Sequence, residues 1–334
     1  MSETYDSDDA GLGRGPRPDR RTTKLAVVGA GAVGATVAYA ALMRGAARTV
    51  ALYDIDKAKV HAEALDLGHG IQFMPMAEVI GSDDVAVCAD ADVVVVTAGA
   101  KQKPGQTRLD LAEATIGLTR MILPPLVEVA PNAIFIMVTN PVDIVTYAAQ
   151  KISGLPRAQI FGSGTVLDSS RLRYLISQYT GVAVQNVHAY MAGEHGDSEF
   201  PLWSSATIGG VPLPDWRGSR SAGPLTPEVR DGIARQVIES AYQIIAGKGA
   251  TNYAVSLAVS RIIESILKDE HRVLPVSSLL DGYYGIRDIC MSVPTVVGRT
   301  GADRQLELPM SDGELANLRS SAEALSAVAR RFGL

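Results

Sequence analysis

The sequence predicts an α/β protein in which a doubly wound parallel sheet is followed by a mixed α+β domain. Three observations carry this. From Lys24 onward, short β-branched runs alternate with longer helical segments, the pattern of parallel strands joined by helical crossovers. The run Asp92-Val93-Val94-Val95-Val96-Thr97 is apolar at successive positions, as a strand buried on both faces must be. Beyond about residue 160 the alternation gives way to long helices and then a strand-rich stretch.

In order, strands are predicted over 24–29, 48–54, 77–81, 92–97 and 133–138. Helices are expected over Ala35–Arg44, Lys57–Gly68, Leu109–Val129 and Ile144–Ile152. The second half predicts a helix over 166–179, extended segments around 187–213, helices over 226–246 and 251–268, and strands within 271–309. Ser311–Phe332 opens with a Ser-x-x-Glu capping box and carries Leu315, Leu318, Ala322, Leu325 and Val328 at helical spacing, which describes an amphipathic closing helix. The expected division is a mobile tail over 1–22, a first domain over 23–162 with a mobile segment at about 99–110, and a second, mixed domain over 163–334.

The tail expectation rests on composition: the first 22 residues are rich in Asp, Gly, Arg and Pro and too poor in apolar side chains to offset the entropy of ordering. Arg14, Arg17, Arg20 and Arg21 suggest a transit peptide, but Glu3, Asp6, Asp8 and Asp9 oppose it. With 334 residues, 47% of them hydrophobic, the chain can bury a substantial core. A net charge of −5 argues against nucleic-acid or anionic-membrane partners, which require a basic surface. Two cysteines among apolar neighbours, Cys88 and Cys290, read as buried thiols, and no apolar stretch reaches the roughly 20 residues of a membrane span. A cytoplasmic location is the expectation.

Gly29-Ala30-Gly31-Ala32-Val33-Gly34 follows a strand and opens a helix, where glycines permit a tight turn and close approach to a pyrophosphate held by backbone amides. Alone this motif is weak. Asp54, ending the next strand 20 residues after Gly34, strengthens it to a Rossmann dinucleotide site, because a carboxylate there accepts hydrogen bonds from ribose hydroxyls and repels the extra phosphate of NADP. NAD is therefore the expected cofactor. A second turn, Thr97-Ala98-Gly99, ends the fourth strand on the same ligand-binding edge.

Asp168 and Arg171, three apart on one helix, share a face and either form a local ion pair or serve one site. The segment Gly193-Glu194-His195-Gly196-Asp197 sets a histidine between glycines. Reduction of a ketone by hydride leaves an alkoxide that needs a proton, and histidine can donate one near neutral pH. A buried Asp168 would orient the ring, while Arg171 offers a planar fork matching a substrate carboxylate. The polar, breaker-rich segment from Gly99 to Leu109 is either a solvated loop or a lid whose closure carries Arg108 to the substrate carbonyl. Thr139-Asn140-Pro141 ends the fifth strand, and Asn140 either hydrogen-bonds a carbonyl oxygen or serves an Asn-Pro turn. A metal-hydrolase reading of Glu194-His195 fails, since His61, His69, His188 and His271 show no ligand spacing, and no metal is expected.

Together, Gly29 to Gly34, Asp54, the Gln102 to Arg108 segment, Thr139-Asn140-Pro141, Asp168-Ser169-Ser170-Arg171 and Gly193 to Asp197 resemble the lactate/malate dehydrogenase family over about residues 24–331. The resemblance implies a hydride transfer between NADH and pyruvate, giving lactate. It implies that Arg108 polarises the carbonyl, Asn140 holds it, Arg171 binds the carboxylate, and Asp168 with His195 handles the proton. It also places Thr251 in the substrate pocket and Val255 against the nicotinamide. At the lid position of Gln102, family members acting on malate carry arginine to pair the second carboxylate of oxaloacetate. Glutamine fits the methyl of pyruvate. Arg173 and His188 resemble the fructose bisphosphate site of allosteric bacterial members, which implies an effector at a subunit interface and a homotetramer. Where many relatives have an Arg-Asn pair after the lid, this chain has Ala114-Thr115. The rivals are activity on malate, a broad 2-hydroxyacid range, and a catalytically inactive NAD-binding protein.

Overall fold

The computed structural model describes residues 22–100, 108–218 and 222–334, with the Arg108 side chain left out. The expectations placed on the tail over 1–21, on most of the lid, and on Gln102 lie outside the described residues.

The first half runs β1 (Lys24–Val28), α1 (Ala32–Met43), β2 (Thr49–Tyr53), α2 (Lys57–His69), β3 (Glu78–Ser82), β4 (Val93–Val96), α3 (Arg108–Val129), β5 (Ile134–Met137), α4 (Val142–Ser153) and β6 (Ile160–Gly162). All six strands are parallel, in the order β6-β5-β4-β1-β2-β3. Successive residues of one strand feed opposite layers. Leu25, Val27, Val93, Val95 and Ile136 join a core with Val37 and Leu42 of α1. Ala26, Val28, Val94, Val96 and Phe135 join another with Leu123 and Leu126 of α3. Both faces are covered, so the strands are apolar throughout. Each fully buried Leu, Ile or Val contributes about 1.5–3 kcal/mol to this arrangement. Cys88 and Cys290 are both free and buried, as expected.

The second half runs α5 (Val166–Thr180), β7 (Val187–His188), β8 (Met191–Ala192), β9 (Phe200–Pro201), β10 (Thr207–Ile208), β11 (Val211–Pro212), α6 (Pro227–Lys248), α7 (Tyr253–Leu267), β12 (Arg272–Tyr283), β13 (Ile286–Gly298), β14 (Gly301–Gln305) and α8 (Asp312–Arg331). The closing helix has its capping box: Glu314 N–H donates to Ser311 Oγ at 3.3 Å and Ser311 N–H donates to Glu314 Oε2 at 2.7 Å.

One feature differs from the sequence expectation. The three-residue strand β6 is absent from the predicted set, because Ile-Phe-Gly is too short to register as an apolar run. The expected strands after residue 271 continue the same sheet. β12 pairs antiparallel with β6 through Ser277 and Gly162, and β14-β13-β12 extend the parallel sheet to nine strands. None of the helices among the described residues is long and apolar enough to cross a membrane.

Candidate active site

Strand order reverses between β1 and β4, and at such a switch point the loops leaving the carboxyl ends diverge and open a crevice. Gly29 follows β1 and Thr97 follows β4. Gly29 takes φ +98°, and a Cβ on it would sit 2.9 Å from Ala98 N; a Cβ on Gly34 would sit 1.8 Å from the Gly29 carbonyl. Gly31 differs: the nearest atom to its added Cβ is Lys59 Nζ at 4.0 Å, so its outer side is open. No side chain caps the N-terminus of α1. Its amides and dipole therefore face that open side, the arrangement that accepts a phosphate.

Asp54 lies where the sequence placed it, just past β2. Ala30 N–H donates to Asp54 Oδ2 at 2.7 Å and Asp56 N–H to Oδ1 at 3.0 Å, which fixes the carboxylate beside the glycine turn. The β4 and β5 ends are laced together: Thr97 Oγ1 donates to Val28 O and Gly29 O, both at 3.0 Å, and Thr139 Oγ1 donates to Ala98 O at 2.8 Å. Val255 of α7 packs with Val33 on the same core cluster, beside the glycine loop. An open backbone cradle, a ribose-reaching carboxylate and an apolar wall fit an NAD molecule.

The second set of residues meets at His195. Asp168 stands in the first turn of α5 and is 1% exposed. His195 Nδ1 lies 2.7 Å from Asp168 Oδ2, and Arg171 Nη1 donates to Asp168 Oδ1 at 2.6 Å. Asp168 and Arg171 thus form the local ion pair, and the same carboxylate also bonds the histidine. The His195 side chain remains 22% exposed.

The loop carrying His195 is tied down on several sides. Gly193, at φ +97°, exchanges backbone hydrogen bonds with Ser292 of β13, both at 3.0 Å. Glu194 N–H donates to Ser321 Oγ of α8 at 2.7 Å, and His195 N–H donates to Asp143 Oδ2 at 2.7 Å. Asp143, in the first turn of α4, also accepts from Ser277 Oγ at 2.6 Å. The ring is therefore held at both its backbone and its Nδ1.

Electrostatics follow from this packing. Burial opposes the charged form of His195, but the Asp168 carboxylate more than offsets it and lifts the histidine to about 9. Burial likewise works against ionised Asp168, yet the His195 and Arg171 cations hold it below the usual carboxylate range. Burial raises Asp143 to about 6 against the pull of Ser277 and His195. The packing thus favours the imidazolium form of His195 near neutrality.

Asn140 follows β5, with its peptide bond to Pro141 cis, and its side chain is exposed. Thr251 is half-buried just ahead of α7. Arg108 begins α3, and its side chain lies outside the described residues. Arg173 turns away from Arg171: its Nε donates to Ala189 O at 2.8 Å and its guanidinium covers the Tyr190 ring at 4.9 Å. That places it against the residue following His188, which is exposed on β7.

Sequence reasoning passed over Asp143, Ser277 and Glu199 as members of this site. Asp143 carried a signal, an acid two residues past the Thr-Asn-Pro turn. Glu199 did so only as an acid four residues past His195, and Ser277 carried none.

The family profile described as lactate/malate dehydrogenase, NAD binding domain, matches residues 23–162, and the lactate/malate dehydrogenase α/β C-terminal domain matches residues 165–331. An L-lactate dehydrogenase of Bifidobacterium animalis subsp. lactis is 59% identical over 313 residues, covering 94% of this chain and 98% of its own. One from Thermoanaerobacter sp. (strain X514) is 44% identical, covering 93% of this chain and 99% of its own. Among solved structures, a lactate dehydrogenase from a Medee basin deep-sea metagenome library superposes with a TM-score of 0.90 at 38% identity, over 94% of this chain and 100% of its own. The minor L-lactate dehydrogenase of Enterococcus mundtii gives 0.87 at 37% identity, over 93% of this chain and 98% of its own.

Proposed function

The chain belongs to the lactate/malate dehydrogenase family, and from that premise we propose that it is an NAD-dependent L-lactate dehydrogenase interconverting pyruvate and (S)-lactate. The observation that carries the chemical reading is the buried Asp168 bonded at once to His195 and Arg171. One carboxylate thereby orients both the proton donor and the substrate anchor.

The amides from Gly31 to Gly34 and the Asp54 carboxylate hold the cofactor, with Thr97, Ala98, Gly99, Thr139 and Val255 shaping the crevice toward the reacting end. When bound, NADH supplies the hydride to the carbonyl carbon of pyruvate. Arg171 keeps one Nη1 bond to Asp168 and turns its remaining donors to the pyruvate carboxylate, which suits a planar fork. His195 delivers its proton from Nε2 to the carbonyl oxygen, and Asp168 stabilises the imidazolium beforehand. Asn140 hydrogen-bonds that oxygen, Thr251 lines the pocket, and Arg108 polarises the carbonyl as the segment from 99 to 110 closes and excludes water. In lactate oxidation the same atoms act in reverse, with neutral His195 as base.

Gln102 supports pyruvate over oxaloacetate. A second substrate carboxylate facing glutamine finds no cation, and a buried charge left unpaired costs about 3–5 kcal/mol. The exposed His188 and the adjacent Arg173 support an anion site for fructose bisphosphate, built twice across an isologous interface of a homotetramer in the cytoplasm.

Steady-state oxidation of NADH with pyruvate and with oxaloacetate, each with and without fructose bisphosphate, tests this reading. We expect kcat/KM to favour pyruvate and the effector to lower pyruvate KM. A preference for oxaloacetate contradicts the substrate assignment. An effector that leaves KM and subunit assembly unchanged contradicts the allosteric one.

A further inference from the structure

Glu199 has no part in the mechanism above, although it lies inside the same cluster. It is 7% exposed, and one ligand atom from each of Asp168, His195 and Glu199 lies within 4.8 Å of the others. The charged groups acting on it are Asp168 and Arg171 of α5 and His195 of the loop, while Asp143 of α4 holds the His195 backbone N–H and is acted on by Glu194. Both cations of this group already bond to Asp168. Glu199 Oε2 has no hydrogen-bond partner among the described residues.

An ionised carboxylate only accepts hydrogen bonds, so it has nothing to offer a neighbouring carboxylate. Burying it there, with one oxygen bare and no cation of its own, is unfavourable. A protonated acid resolves both problems, since two adjacent buried carboxyls settle into a form that holds one proton. From this geometry, and resting on the assignment of Asp168 and His195 as the proton-handling pair, we propose that Glu199 is a positioning residue: a neutral carboxylic acid whose O–H donates to Asp168.

Asp168 then shares its charge among three donors: His195 Nδ1, Arg171 Nη1 and the Glu199 acid. Burial and the neighbouring Asp168 charge push the Glu199 carboxyl up to about 9, in agreement with a proton retained at neutral pH. The third donor restrains how strongly Asp168 pulls on the imidazolium. His195 can therefore be charged for pyruvate reduction and still release its proton for lactate oxidation.

The test compares the full-length enzyme with Glu199→Gln, which keeps a neutral donor, and Glu199→Met, which removes it. Infrared difference spectra at neutral pH should show a protonated-carboxyl C=O stretch in the parent that is missing from E199Q. In E199M the His195 limb in the pH profiles of kcat/KM, for lactate and for pyruvate alike, should move up by about one unit, as expected for His195 made about one pK unit more basic. E199Q should bring both limbs back to within about half a unit of the parent, a rescue that a purely steric role does not predict.

Three results would overturn the proposal. In one, E199Q loses no acid band. In another, E199Q lowers the His195 pKa at neutral pH, the signature of a deleted anion. In the third, Zn2+ inhibits the parent but not E199Q, which marks the cluster as a cation site. If Asp168→Asn leaves the pH profile unmoved, the underlying reading of the pair fails instead, and the infrared band still reports on Glu199 separately.

Discussion

Replacing Asp168 with asparagine keeps the volume of the side chain and removes its charge, so it isolates what the carboxylate does for His195. In the parent, the histidine is lifted from an ordinary 6.5 to about 9 despite its burial. That difference corresponds to about 3 kcal/mol of preference for the imidazolium. Without the charge, burial is opposed only by the weaker pull of Glu199 and Asp143, and His195 should titrate near its ordinary value. At pH 7.5 the protonated fraction then falls from nearly complete to about one tenth, so pyruvate kcat/KM drops about tenfold from protonation alone. The 2.6 Å Arg171 contact loses its ionic component at the same time, which adds to the loss. The assay is pyruvate kcat/KM from acid to alkaline pH: the alkaline limb should move down by more than one unit, and part of the deficit should recover on acidification. Combining it with Glu199→Gln removes the other carboxyl able to take over the charge and should move the limb further. A limb that stays near 9 in both variants would falsify the account of why His195 holds its proton.

Three further outcomes follow from single contacts. Arg171→Lys keeps the charge but loses the fork, so pyruvate KM should rise about 10–100-fold with NADH affinity unchanged; an unaltered KM removes Arg171 from substrate binding. Gly34→Ala would set a methyl 1.8 Å from the Gly29 carbonyl; calorimetry should show at least about 3 kcal/mol of destabilisation and loss of NADH binding, and a stable, NADH-binding variant contradicts the packing. Glu264, bonded to Arg44, Arg261 and Lys268 between α1 and α7, is held at about 2 by these cations against its burial. Because its folded pKa is depressed, its contribution is present above about pH 4.5 and lost as pH falls toward 2. Glu264→Gln should therefore cost on the order of 2–3 kcal/mol at pH 7 and progressively less in acid, and a pH-independent cost refutes the ionic origin.

Most of the parallel half was legible in the sequence because its strands are buried on both faces and so write unbroken apolar runs, as Val93 to Val96 do. Glycines at 29 and 34 were legible because backbone packing excludes any side chain there. Asp168, Arg171 and His195 were legible as residue types with a chemical task, but the sequence left open whether Asp168 and Arg171 form a local pair or serve a site. Only the fold, by bringing His195 onto the free oxygen of Asp168, shows that the carboxylate paired with Arg171 also bonds the histidine. What sequence reading missed depends on long-range contacts. Strand β6 is defined by its neighbours β5 and β12 rather than by its three residues. Asp143 reaches the loop from 52 positions away, and Ser277 reaches Asp143 across 134. Neither spacing has a local periodicity to announce it.

The central claim is that His195, held by Asp168, supplies the proton that completes pyruvate reduction. Rapid mixing of the enzyme with NADH and pyruvate, with and without His195→Gln, tests it most directly. The account predicts that the variant binds NADH as tightly as the parent while pyruvate turnover falls by about 10²–10⁴, the range expected when a general acid is removed. A variant that reduces pyruvate within a few-fold of the parent rate would contradict it.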